Sequence, residues 1–201
     1  MSSKQMLSRP AYGTLTPTEA NAHLFVVDDT AGAVLVDMAK QVSKEFWSKT
    51  EILYINSNPG SKSDYSQQLQ ALGSPRLYIG PSIDAAQGRL KNSLASAKMG
   101  VQIYISGSEQ LLNVTESTAM AAGYDHRGIQ TQQHGSLARR VQCVHCKGIT
   151  PNVTTQPANC SHCGLLLLVR DHYSRRVAAF QGVNINAEDP TDIPTQVETF
   201  L

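Results

Sequence analysis

The sequence predicts an α/β domain, with a parallel sheet covered by helices on both faces, followed by a small four-cysteine β ribbon. Three observations carry that expectation. From Ala22 to about Thr131, short runs rich in Val, Ile and Tyr alternate with segments of helical spacing, and such alternation builds parallel strands joined by helical crossovers. The helical periodicity stops after "HGSLARR", His134 to Arg140. All the cysteines then fall in two Cys-x-x-Cys pairs between Cys143 and Cys163.

Each element has its own signal. "HLFVV" (His23 to Val27), "EILYIN" (Glu51 to Asn56), "RLYIG" (Arg76 to Gly80) and "VQIYIS" (Val101 to Ser106) read as buried strands, with "GIQTQQ" (Gly128 to Gln133) as a fifth. Helices are predicted over Ala31 to Trp47, Ser63 to Leu72, Ile83 to Ala97 and Ser108 to Gly123, where Gly123 suits a helix C-cap. "CGLLLLVRDHYSRRVAAFQGV" (Cys163 to Val183) reads as two strands around a turn near His172 to Arg175. The boundaries expected are an N-terminal extension over 1–21, the α/β domain over 22–136, the ribbon over 137–183 and an extended tail over 184–201. Pro190 and Pro194 in that tail predict an arm that docks on a neighbour or stays mobile.

Composition excludes several functions. Lys and Arg total 17 against 16 Asp and Glu, a formal charge of +1, so the basic surplus that dominates nucleic-acid affinity is missing. Hydrophobic residues make up 41% of the chain, enough for a core, and no apolar run approaches the roughly 20 residues of a membrane helix. "MSSKQMLSRPAYG" lacks the apolar middle of a signal peptide, which predicts a cytoplasmic protein. In that compartment paired cysteines bind metal more often than they form disulfides.

Two turns that each offer two thiolates can close a tetrahedral site. The ligands are then Cys143, Cys146, Cys160 and Cys163, with thirteen residues between the pairs. Zinc is the metal expected, because four thiolates leave no open position and a filled d shell imposes no other geometry. Iron is the alternative, since rubredoxin-type sites use the same turns. There, both knuckles carry a glycine after the second cysteine, whereas the first knuckle here is "CVHCK". His145 and His162 read as exposed knuckle side chains. Gly164 after the last ligand permits a tight turn.

The order of strands and helices resembles the pyridine-nucleotide half of the ferredoxin-reductase family. "VVDDTAGAV", "YINSNPGSKSDY" and "YISGSEQLL" stand where that family has its glycine-rich turn, its ribose-side strand end and its Cys-Gly-Pro. The resemblance implies a degenerate nucleotide site near Thr30, Gly32, Ser57, Ser106 and Gly107. Asp28 and Asp29 set two carboxylates where a pyrophosphate would lie, so the fold is expected to persist without its nucleotide chemistry. Ser57 and Ser106 read as strand-end caps. Asp28 and Asp29, as neighbours at one strand end, should point opposite ways.

"CVHCKGITPNVTTQPANCSHCGLLLLVRDHYSRRVAAFQGV" resembles the C-terminal domain of the small A subunit family of bacterial dimethylamine monooxygenase, the haem-dependent oxidative N-demethylase system, and the resemblance extends over nearly the whole chain. It implies a non-catalytic scaffold or electron-path subunit of an enzyme that converts dimethylamine, O2 and NADPH to methylamine and formaldehyde. Its implied partners are a haem-bearing catalytic subunit and a flavin and iron-sulfur reductase subunit. Arg170, His172, Tyr173, Arg175 and Arg176 are the residues expected at a partner interface, which favours aromatic and guanidinium groups. Two other readings are an electron-transfer protein in its own right, with iron at the cysteines or NAD(P)H in the α/β domain, and a zinc-ribbon nucleic-acid or regulatory protein.

Overall fold

Strands buried on both faces carry apolar residues without alternation, and β1 (Ala22–Asp28) and β2 (Thr50–Ile55) are such strands. The computed structural model of the chain describes residues 9–97, 99–189, 191 and 193–201. Pro190 and residues 1–8 of the expected extension lie outside the described residues. The described chain divides into two compact units, Tyr12–Gly135 and Ser136–Leu201, the latter joined by residues 9–11.

In the first unit, β3 (Arg76–Gly80), β4 (Val101–Gly107) and β5 (Ile129–Gln133) complete an all-parallel sheet of order β3-β2-β1-β4-β5. Alternate residues of the strands face opposite layers. Leu24, Val26, Leu53 and Ile55 pack under α4 (Ile83–Ser96) and α5 (Glu109–Ala121), whereas Phe25, Val27, Ile52 and Tyr54 pack under α1 (Gly32–Met38), α2 (Lys44–Ser48) and α3 (Ser66–Ala71). Burying each such side chain contributes about 1.5–3 kcal/mol.

Two expectations change here. The single helix predicted over Ala31 to Trp47 is two helices, because Ser43 takes an extended backbone (φ −81°, ψ 167°) and starts α2 anew. Residues 12–21 belong to the sheet unit. Leu15 is buried, Gly13 N–H donates to Thr131 O at 2.8 Å, and the Gln132 and Gln130 side chains accept from the N–H groups of Leu15 and Thr16, each at 2.8 Å. Gly123 ends α5 as expected, at φ 96°, with Tyr124 N–H reaching back to Ala119 O.

The second unit holds β6 (Arg139–Cys143), β7 (Ile149–Val153), β8 (Thr155–Gln156), β9 (Ala158–Asn159), β10 (Leu166–Ser174), β11 (Ala179–Asn184) and β12 (Val197–Glu198). One sheet has the order β7-β6-β11-β10-β9, and β12 pairs with β8. The hairpin turn lies at residues 175–178, beyond the predicted place, because the polar stretch around Asp171 and His172 is a bulge within β10. The tail folds back on its own unit. Its Phe200 is buried, its Thr199 and Phe200 N–H groups both donate to Thr154 O at 2.8 Å, and Leu201 O accepts from Leu137 N–H. No helix among the described residues is long and apolar enough to cross a membrane.

Candidate metal centre and sheet-edge crevice

The end of β6 and the turn after β9 bring the cysteines together. Their sulfurs all lie within 4.8 Å of one another. Cys143 Sγ is 3.8 Å from Cys163 Sγ, and Cys146 Sγ is 3.6 Å from Cys160 Sγ. A metal ion bound tetrahedrally at about 2.3 Å from each sulfur requires sulfurs about 3.8 Å apart, so the four residues are placed to hold one ion. Cys143 and Cys160 are buried against Val141, Leu167 and Phe180, while Cys146 and Cys163 reach the surface.

The two knuckles share one backbone plan. Lys147 N–H donates to Cys143 O and Gly164 N–H to Cys160 O, both at 3.0 Å. Both donors are left-handed, Lys147 at φ 63° and Gly164 at φ 76°. The glycine missing from "CVHCK" is thus replaced by a lysine held in the conformation that glycine favours. Gly148 N–H points at Cys146 Sγ at 3.4 Å. Burial opposes ionisation of Cys160, but the N–H groups of Cys163 and His162 outweigh it and lower its pKa to about 6. Leu165 N–H favours the Cys163 thiolate, yet burial and the neighbouring sulfurs push that group up to about 12. All four sulfurs this close can be thiolates together only with a cation among them. His145 and His162 are both exposed, as expected; the His162 ring also lies on Gly148, where a Cβ would come within 2.5 Å of it, and its Nε2 is 3.1 Å from Ile149 O.

The residues expected at an interface divide. Arg170, His172, Arg175 and Arg176 are exposed, but Tyr173 is a core residue packed on Phe180 at a centroid distance of 5.1 Å. Arg139 carried no sequence signal. It is buried between the rings of Phe180 (4.1 Å) and Phe200 (4.0 Å) and donates to Asp171 at 2.7 Å.

In the first unit, β1 and β4 are neighbours whose chains leave for opposite faces, the topology that in doubly wound sheets sets a crevice at the carboxyl ends of the two strands. Asp28 and Asp29 do point opposite ways. Asp28 takes the N–H of Ser108 at 3.1 and 3.2 Å on its two oxygens and the Ser108 hydroxyl at 2.6 Å. Asp29 takes the Ser57 N–H at 2.9 Å and its hydroxyl at 2.6 Å. Burial raises the pKa of Asp28 to about 6, against the pull of the Ser108 hydrogen bonds. Ser57 therefore serves Asp29. Ser106 is fully buried, and its hydroxyl has no hydrogen-bond partner among the described residues. Ser108, the N-cap of α5, is the residue that sequence reasoning passed over, although a serine directly before a helical run is an N-cap signal.

Two family matches cover most of the chain. Residues 4–129 match the N-terminal domain of the family described as dimethylamine monooxygenase subunit DmmA-like, and residues 140–183 match its C-terminal domain. The heme-dependent oxidative N-demethylase delta subunit of Ectopseudomonas mendocina (strain ymp) is 32% identical over 110 residues, which is 55% of this chain and 63% of that protein. The match thus spans less than two thirds of the relative. Among solved structures, phthalate dioxygenase reductase aligns with a TM-score of 0.47 at 11% identity, over 70% of this chain and 47% of that one. The flavohem-like FAD/NAD binding domain of nitric oxide dioxygenase from Vibrio cholerae O1 biovar El Tor aligns with a TM-score of 0.42 at 15% identity, over 63% and 56% of the two chains. With both of its segments matched, the chain belongs to the DmmA-like family of dimethylamine monooxygenase subunits.

Proposed function

We propose that this chain is a non-catalytic subunit of a cytoplasmic oxidative N-demethylase whose substrate is dimethylamine, and that its cysteines hold a structural zinc. The net reaction of such an assembly takes dimethylamine, O2, NADPH and a proton to methylamine, formaldehyde, NADP+ and water. The haem, flavin and iron-sulfur groups belong on partner chains. The observation that carries the reading is the match of both segments to one family, joined to a four-sulfur site that leaves a metal no open coordination position. Such a site fixes structure instead of activating water or O2. The exposed Arg170, His172, Arg175 and Arg176 supply guanidinium and imidazole groups for docking on the haem-bearing chain.

The test is metal analysis with a visible spectrum on the purified full chain, followed by co-purification with the partner subunits. One zinc per chain, no colour and a stable complex are expected. A complex that forms and turns over at full rate without this chain would defeat the subunit reading.

One observation favours a second reading. Lys147 gives the first knuckle the same left-handed turn that Gly164 gives the second, so the missing glycine after Cys146 does not stand against a rubredoxin-type site. Iron at these sulfurs would make the ribbon an electron relay, and thiolate-to-iron absorption bands would identify it.

A further inference from the structure

We propose that the crevice at the carboxyl ends of β1 and β4 is occupied by the protein's own Asp28 and Asp29 carboxylates, and that these two side chains hold dinucleotide phosphates out of the α/β unit. The proposal stands on the geometry of the crevice and does not depend on the subunit reading.

A dinucleotide site in a doubly wound sheet needs free backbone N–H donors at a helix start and glycines whose missing Cβ lets phosphate approach the chain. Both requirements are met here and then used internally. The N-terminus of α5, a helix of 13 residues, offers the Ser108 N–H and hydroxyl, and both go to Asp28. The corresponding donors after β2, the Ser57 N–H and hydroxyl, both go to Asp29. At Gly107 a Cβ would overlap Asp28 Oδ1, so the clearance that this glycine creates is filled by the aspartate. At Gly32 a Cβ would lie 2.6 Å from Tyr65 Cβ, so that clearance is filled by a tyrosine. A phosphate entering the crevice would meet two carboxylates and no unspent donor from Ser57 or Ser108. The like charges of buried Asp28 and half-buried Asp29 repel it. Gly32, Ser57 and Gly107 are thus already engaged by the protein's own side chains, while Thr30 is exposed and Ser106 fully buried.

The experiment is an amide-resolved NMR titration of the full chain with NADP+ and, separately, with inorganic pyrophosphate, on the wild type and on the Asp28→Asn, Asp29→Asn double variant. In the wild type, the amides of Ser57, Gly107 and Ser108 should not move at millimolar ligand. In the double variant they should move saturably, with affinity about tenfold or more above the wild-type bound. Saturable shifts of those wild-type amides below about 1 mM NADP+ would overturn the proposal. So would a folded double variant in which they stay unmoved. If the double variant does not fold, Asp29→Asn alone is titrated in the same way, and unmoved amides in that variant count equally against the proposal.

Discussion

Asp28→Asn should stabilise the α/β unit, and the gain should depend on pH with a defined sign. Asp28 is 9% exposed, and burial lifts its pKa from 3.8 to about 6 even though Ser108 donates through both its N–H and its hydroxyl. A group whose folded pKa lies above its unfolded value contributes stability that is fully present below the unfolded pKa and is lost as pH rises through the folded one. Well below pH 3.8 the carboxyl is protonated in both states; the cost grows as pH rises from 3.8 to about 6 and is complete above that, where the carboxyl is ionised in the fold. At 1.36 kcal/mol per pH unit, the displacement is worth about 3 kcal/mol in full. Asparagine keeps an acceptor for Ser108 and removes the charge. The stability of Asp28→Asn relative to wild type should therefore grow by about 2 kcal/mol between pH 4.5 and pH 7.5. Trp47, the sole tryptophan, is 4% exposed within this unit, so urea unfolding followed by its fluorescence reads the right transition. A gap that is flat with pH, or that narrows toward neutral pH, would refute the reasoning. It would mean that the carboxylate acts mainly as an anionic cap on α5, where the helix dipole favours charge.

Other outcomes follow from geometry already described. Gly107→Ala should cost about 2 kcal/mol or more, because its Cβ overlaps Asp28 Oδ1, and Asp28→Ala should restore part of that loss in a double-mutant cycle. Lys147→Gly should raise the thermal midpoint of the metal-loaded ribbon, by about 1 kcal/mol in stability, since the left-handed backbone at φ 63° suits glycine. Arg139→Ala should destabilise the second unit by about 3 kcal/mol by removing the cation from Asp171 and from two aromatic faces, and Arg139→Lys should not rescue it, lacking the planar fork. Chelation, or Cys143→Ser, should unfold the second unit while leaving Trp47 fluorescence unchanged, because metal affinity there is folding free energy. Amide exchange distinguishes the two units.

How much of this was legible in the sequence depends on how far apart the interacting residues lie. Strands of the parallel sheet were readable because burial on both faces writes an apolar run, and the cysteine set because ligand pairs sit two residues apart. The break between α1 and α2 was not, since apolar spacing from Leu35 to Trp47 continues across Ser43 while the backbone does not. The bulge in β10 was mistaken for a turn because Asp171 and His172 are polar, although the strand runs on to Ser174. Contacts closed by topology left no local trace. Asp28 meets Ser108 eighty positions away, and Arg139 meets Phe200 only after the tail has returned.

The strap over residues 13–16 has a consequence for self-association. As an edge strand of the sheet, β5 would present a row of open backbone groups, the kind of template on which a second chain adds a strand. Gly13 closes one of them directly, while Gln130 and Gln132 use their side chains to anchor the rest of the segment along that edge. The protection is built from two glutamines and a leader that composition alone would mark as dispensable. A chain trimmed to begin at Ala22 should keep its sheet and gain a concentration-dependent tendency to pair through β5.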